Sequence, residues 1–350
     1  AQLSESNQDF ETSIKSYQYV IAKGPDNYNY ILAKMELVKV YNNKIISGQE
    51  YTQEDLLGLE RNYLSTISEL GKTSATAKLL KGLAHLQAFY LHQSDKAISL
   101  LKETISIPGI SAHLVAEAKL ELADIYLFTG EIWEASLLYS QVEKAYKHDQ
   151  LGERAKFKNA KIFFYTGDFA WAKAQLDVLK ASTSKLIAND AMELSILITD
   201  NIGIDTTQAP LLIFAQADLL AYQNKHEEAM NVLDSLKITF PIHTINDDIL
   251  YKKYQINYEL KKYDEAVVNL SNIIDEYSYD ILVDDAIYNL ALMYDNILNQ
   301  KEKAMNLYKR LLFDYQDSIY GVDARKRYRE LEKTLKIIKI EDDVLEFEAN

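Results

Sequence analysis

The sequence predicts an all-α protein built as a solenoid of stacked antiparallel helix pairs. Three observations carry this. A short pattern recurs at a spacing of 37 or 38 residues, clearest as Leu122, Ala123, Tyr126, Gly130, Ala135 and Tyr139, and again as Ala160, Phe163, Gly167, Phe169, Ala172 and Leu176. A fixed period in that range is the mark of a repeat array. Apolar residues between the pattern positions return at helical steps. Gly (11) and Pro (4) are too scarce for an all-β chain with many tight turns.

Each unit is anchored on the small residue at the centre of its second helix: Ser13, Ala97, Ala135, Ala172, Ala229, Ala266 and Ala304. From Ala97 onward the steps are 38, 37, 57, 37 and 38, so one step exceeds a unit by about one helix, supplied by residues 182–204. In the Ala135 unit a helix runs over Leu114–Phe128, Gly130 breaks it as a residue suited to positive φ, and a second runs over Ile132–Tyr146. Ala123 and Ala135 allow close helix approach, with Tyr126 and Tyr139 filling the space around them. The first unit retains only a second helix (Phe10, Ser13, Tyr17, Val20). Helices over 28–46 and 54–70 follow, joined by a polar linker. The last helix, 322–338, turns Ala324, Tyr328, Leu331 and Leu335 inward and Arg325, Lys326, Arg327 and Arg329 outward, as a terminal cap requires. The organisation expected is N-terminal repeats over 1–180, an inserted helix in 181–205, C-terminal repeats over 206–320, a capping helix over 321–340 and a frayed acidic tail over 341–350.

These positions resemble the tetratricopeptide repeat (TPR), a helix–turn–helix module. The resemblance covers roughly residues 8–320, and the units here are longer than the family's usual ones. It implies a right-handed α-solenoid acting through an extended surface rather than a catalytic pocket. The segment Asp314-Tyr315-Gln316-Asp317-Ser318-Ile319-Tyr320, with Ala324-Arg325-Lys326-Arg327, is similar to junctions in repeat modules of bacterial envelope proteins. That resemblance implies a bacterial envelope complex, with a periplasmic or outer-membrane-associated address and a cytoplasmic one as the alternative.

Composition excludes several classes. A formal charge of −14 argues against nucleic acid, which needs clustered Lys and Arg, and suits basic partners. With no Cys there are no disulfides, thiolate metal sites or cysteine nucleophiles. No apolar run is long enough to span a membrane. The chain opens on Ala1-Gln2-Leu3 without Met, as after removal of a leader or after trimming.

No catalytic motif, cofactor site or metal site is expected. His85 and His92, seven apart, read as ordinary packing or surface residues on one helix face, without a carboxylate placed to help bind a metal. Ser182-Thr183-Ser184 reads as a helix cap rather than a nucleophile. Asn189-Asp190, Asp247-Asp248 and Asp284-Asp285 read chiefly as helix N-terminal acids. In tetratricopeptide arrays the concave groove is lined by first-helix residues. Carried onto this chain, that face holds Glu117, Glu121 and Asp124, then Arg154, Lys158 and Lys161, then Phe214 and Asp218, then Asp248, Tyr251, Gln255 and Tyr258, and last Asp285, Tyr288 and Asp295. From it come the candidate partner-binding residues: Arg154, Lys158, Lys161, Phe214, Asp248, Tyr251, Tyr258, Asp285 and Tyr288. Tyr and Arg are typical of interface hot spots. The flanking acids exclude the carboxylate clamp of chaperone-adaptor arrays. The expected function is a non-catalytic scaffold that binds a protein or peptide in its groove. The alternative is a structural or oligomerisation subunit using helix edges, and an enzyme comes third.

Overall fold

The computed structural model describes residues 1–7, 9–47, 51–182, 184–202 and 207–348, the side chains of 2, 5, 46, 47 and 336–348 excepted. Among the described residues all regular structure is helical. The chain divides into two compact units, Ala1–Phe163 with Ala170–Met192, and Phe164–Phe169 with Glu193–Asn350.

Every predicted anchor is fully buried: Ser13, Ala97, Ala135, Ala172, Ala229, Ala266 and Ala304 each have no exposed surface. A residue without bulk is needed there because two helix backbones approach at that point. In the first unit Ala112–Thr129 packs on Ile132–Ala145, and Ala77–His85 on Ser94–Ile105. In the second, Ala209–Tyr222 packs on His226–Thr239, Ile245–Glu259 on Tyr263–Glu276, and Val283–Asn296 on Lys301–Asp314. Buried aromatic and branched side chains such as Tyr139, Phe164, Tyr308 and Leu101 close the space around the anchors.

The turn between paired helices obeys a rule that the sequence shows only in part. Positive φ occurs at His92 (54°), Gly130 (99°), Gly167 (83°), Asn224 (59°), Lys261 (57°) and Asn299 (52°), each five residues before its anchor. The left-handed residue lets the next amide reach back over the helix end. Glu131 N donates to Tyr126 O (2.8 Å), Lys225 N to Leu220 O (2.9 Å) and Lys262 N to Asn257 O (2.8 Å). Glycine suits this conformation; lysine is held there at a cost of about 1–2 kcal/mol. Lys261→Gly is therefore expected to raise the unfolding free energy by about 0.5–1 kcal/mol, after allowance for glycine's greater freedom in the unfolded chain. Urea titration checks this; equal or lower stability would contradict it.

Several expectations need correction. The first unit does not retain only a second helix: Phe10–Ile21 is preceded by the short helix Gln2–Ser6, which packs on it, and Phe10–Ile21 packs in turn on Tyr30–Ser47. The linker after Tyr30–Ser47 lies largely outside the described residues, and Gln53–Leu70 starts with a capping box between Thr52 and Asp55. His85 and His92 do not share a helix, because Ala77–His85 passes into a π-helical turn, Leu86–Tyr90, and His92 is the left-handed turn residue. The last helix runs Gly321–Glu348, beyond the 322–338 read from the sequence, while 349–350 lie outside the described residues. Its Arg327 does not face only outward. Its guanidinium reaches Asp295, whose side chain is fully buried. The helix in the long step is Lys185–Ile202, and the division between the two compact units falls inside it. Residues 203–206 lie outside the described residues.

Candidate partner-binding surface

Several charged residues expected to line the groove are paired across successive first helices. Lys81 Nζ lies 2.5 Å from Glu117, and His85 Nδ1 contacts Glu121 at 2.7 Å, supplying the carboxylate neighbour that sequence spacing did not reveal. Lys158 Nζ donates to both oxygens of Asp124, at 2.6 and 2.7 Å, and Tyr139 OH donates to the same carboxylate at 2.5 Å. The register repeats in the second unit, where Lys252 reaches Asp218 at 2.7 Å; the Asp-to-Lys separation is 34 residues in both cases. Tyr165 OH donates to Asp218 as well, at 3.1 Å. Burial pushes the Glu117 carboxyl up, but the Lys81 hydrogen bond and charge outweigh this and hold it below its usual value. These pairs couple neighbouring repeats. They do not offer free charge to a ligand.

The basic trio therefore divides. Lys158 is committed to Asp124. Arg154 is exposed, and Lys161 is half-buried. Burial raises the Asp190 carboxyl against the pull of the Lys161 ammonium. A cleft of about 580 Å³ lies beside this helix, lined by Val178, Leu179, Lys144, Lys147 and His148 and by the Glu143–Lys156 pair, 3.6 Å apart. Ser182 Oγ donates to Glu153 there at 2.7 Å, and Ser184 Oγ accepts from Ile187 N at 3.5 Å, a helix-capping role; Thr183 lies outside the described residues. Among the described residues no group of three or more His, Cys, Asp or Glu is placed to hold a metal ion. No helix is long and apolar enough to cross a membrane, again among the described residues.

In the second unit two candidates are not at the surface. Phe214 is 4% exposed and packs in the core, because its helix, Ala209–Tyr222, is apolar nearly all round. Asp248 is buried as well. It accepts from Asn201 Nδ2 at 2.7 Å, and Thr244 Oγ1 donates to Asn201 Oδ1 at 2.9 Å. Asp247 beside it accepts from the Asp248 amide at 2.8 Å, as an acid in the first helical turn can. Burial lifts both carboxyls, Asp247 to about 6 and Asp248 well above the usual carboxylate range, with Asp247 adding its charge to the latter.

The aromatic candidates are closer to the surface. Tyr251, Tyr254, Tyr258 and Tyr263 form a chain of ring contacts with centroids 5.5, 6.0 and 5.9 Å apart, and Tyr258 is its exposed member. Asn289 Nδ2 donates to Tyr251 OH at 3.1 Å. Tyr288 is stacked on Tyr320 with centroids 4.2 Å apart and planes 11° from parallel. Tyr320 OH donates to Asp285 at 2.5 Å. Burial raises the Asp285 carboxyl, and the Tyr320 hydrogen bond opposes the rise. Tyr320 and Asn289 were not among the sequence candidates. The one sequence signal for them was distance, since each lies about one repeat from its partner, at 35 and 38 residues.

No family model and no curated protein matches the chain in sequence. Some solved structures are similar to it over most of its length. One is a tetratricopeptide repeat protein from Parabacteroides merdae (TM-score 0.37, 11% identity, 85% of this chain and 99% of that one). Others are the TPR domain of P58(IPK) (0.29, 14%, 96% and 96%) and the apo form of RapI (0.32, 14%, 96% and 99%). The superpositions are loose. The buried anchors and left-handed turns are the chain's own basis for the conclusion that its fold is all-α and tetratricopeptide-like.

Proposed function

We propose that this protein is a non-catalytic scaffold that binds a protein or peptide along the first-helix face of its second unit, within a bacterial envelope complex of the periplasm or outer membrane. The observation that supports it best is the Tyr251–Tyr254–Tyr258–Tyr263 chain with its exposed member Tyr258. Several charges of that face are internally paired, so specificity falls to the aromatic rings, which offer large rigid area at small entropic cost. Lys158 is set aside as a ligand group because Asp124 already holds it. Arg154 and Lys161 remain secondary candidates, and Tyr288 and Asp285 act through Tyr320. Tyr258→Ala is expected to weaken partner capture roughly thirtyfold, a hot-spot loss of about 2 kcal/mol. Affinity capture with cross-linking from a membrane-plus-periplasm extract checks this. Unchanged capture removes the groove from the reading, and recovery of cytosolic proteins alone removes the envelope. The alternative, a structural subunit that assembles through its edges, draws support from exposed apolar residues in the junctions between repeats.

A further inference from the structure

We propose that the edge formed by junctions 238–247, 275–285 and 313–323 of the second unit docks a cationic amphipathic segment of a partner protein. These junctions join each second helix to the next first helix. They present Ile242 (99% exposed), Tyr279 (102%), Ile281, Phe313, Ile319 and Val322 to solvent. None of the three contains Lys or Arg, and among their acids Asp280, Asp317 and Asp323 are exposed and Asp284 is half-buried. Successive junctions lie side by side. Tyr315 OH donates to Ser278 O at 3.2 Å, and Asp280 and Tyr277 sit close enough to Asp247 for their charges to interact. The first unit provides an internal comparison. Its junctions over 106–111 and 146–149 expose no large apolar side chain, and the second of them carries Lys147 and His148 instead, whereas the junction over 22–29 exposes Tyr28. Exposed apolar side chains at three successive junctions are thus a feature of the second unit's sequence.

Charge complementarity selects the occupant. An apolar strip in an acidic frame repels an anionic lipid surface, and it repels a second copy of a chain whose net charge is −14. It attracts a segment that carries apolar anchors between Lys or Arg residues, as in helix-on-surface recognition. This inference does not depend on the groove proposal, because none of its residues belongs to the Tyr251–Tyr263 chain.

The test uses the full chain and a synthetic amphipathic helix made of Leu and Lys, with a Leu and Glu helix as control, followed by calorimetry and hydrogen exchange. The Leu–Lys probe is expected to bind and to protect the three junctions. The Leu–Glu probe should bind at least roughly tenfold more weakly. The triple variant Ile242→Ser, Tyr279→Ser, Ile319→Ser removes only exposed side chains and should lose roughly tenfold in affinity. Asp317→Lys with Asp323→Lys should do likewise, while Tyr258→Ala should bind as the parent does. Equal binding by the triple variant, no binding by the parent, or loss caused instead by Tyr258→Ala overturns the proposal. So does self-association, or binding to anionic vesicles, that the triple variant abolishes.

Discussion

Asp295→Ala is expected to cost about 1–3 kcal/mol, because it removes the charged hydrogen bonds of Lys301 and Arg327, whose cationic groups keep access to water. Asp295 is fully buried at its side chain and accepts from Lys301 Nζ at 2.8 Å and from Arg327, whose Nη2 lies 2.9 Å away. Tyr308 OH, itself buried, points at the same carboxylate at 3.5 Å. Burial pushes this carboxyl up, but the hydrogen bonds and charges of Arg327 and Lys301 prevail and hold it below its usual value. Its contribution is therefore present above the unfolded pKa and lost as pH falls through the lower folded value. The carboxylate ties Val283–Asn296 to the last helix, Gly321–Glu348, so the variant should free that helix first. Hydrogen exchange over 321–335 should rise before exchange elsewhere, as stability in an array is summed over neighbours. A loss under about 1 kcal/mol would place the bridge in the class of screened surface pairs.

The second large effect has the opposite sign. Asp248→Asn is expected to stabilise the second unit at pH 7–8 by on the order of 1–3 kcal/mol. The Asp248 carboxyl is buried beside Asp247, and both are raised, Asp247 from 3.8 to about 6. For raised carboxyls the folded state is favoured while the groups are protonated. That advantage is full below about pH 4 and disappears as pH rises through the folded values. An asparagine keeps an oxygen for Asn201 Nδ2 and carries no charge to lose. Melting curves of parent and variant should coincide near pH 4 and separate above pH 6. Parallel pH dependence across that range would refute the assignment.

The anchors, the helical periods and the extra helix near 185–202 were all legible in the sequence, because each rests on a local rule: small residues where backbones touch, apolar steps of a helix, a break in a fixed spacing. The turn rule was half legible. Gly130 and Gly167 announce a left-handed residue, whereas His92, Lys261 and Asn299 occupy the same place without announcing it. A last helix was legible, but not the inward reach of Arg327, since periodicity assigns a side chain to a face and not to a partner.

The binding surface was less legible. A first-helix position read from the pattern cannot tell Tyr258, which is exposed, from Phe214 or Asp248, which are buried. Nor can it tell that Lys158 is neutralised by Asp124, 34 residues earlier. The sequence by itself determined the helices, their pairing and the repeat, since those follow from interactions within a few turns of chain. Only the tertiary structure decided which charges cancel, which candidates are buried and where apolar surface is left open. Those properties depend on stacking between repeats, where a residue's environment is set by groups about one repeat away.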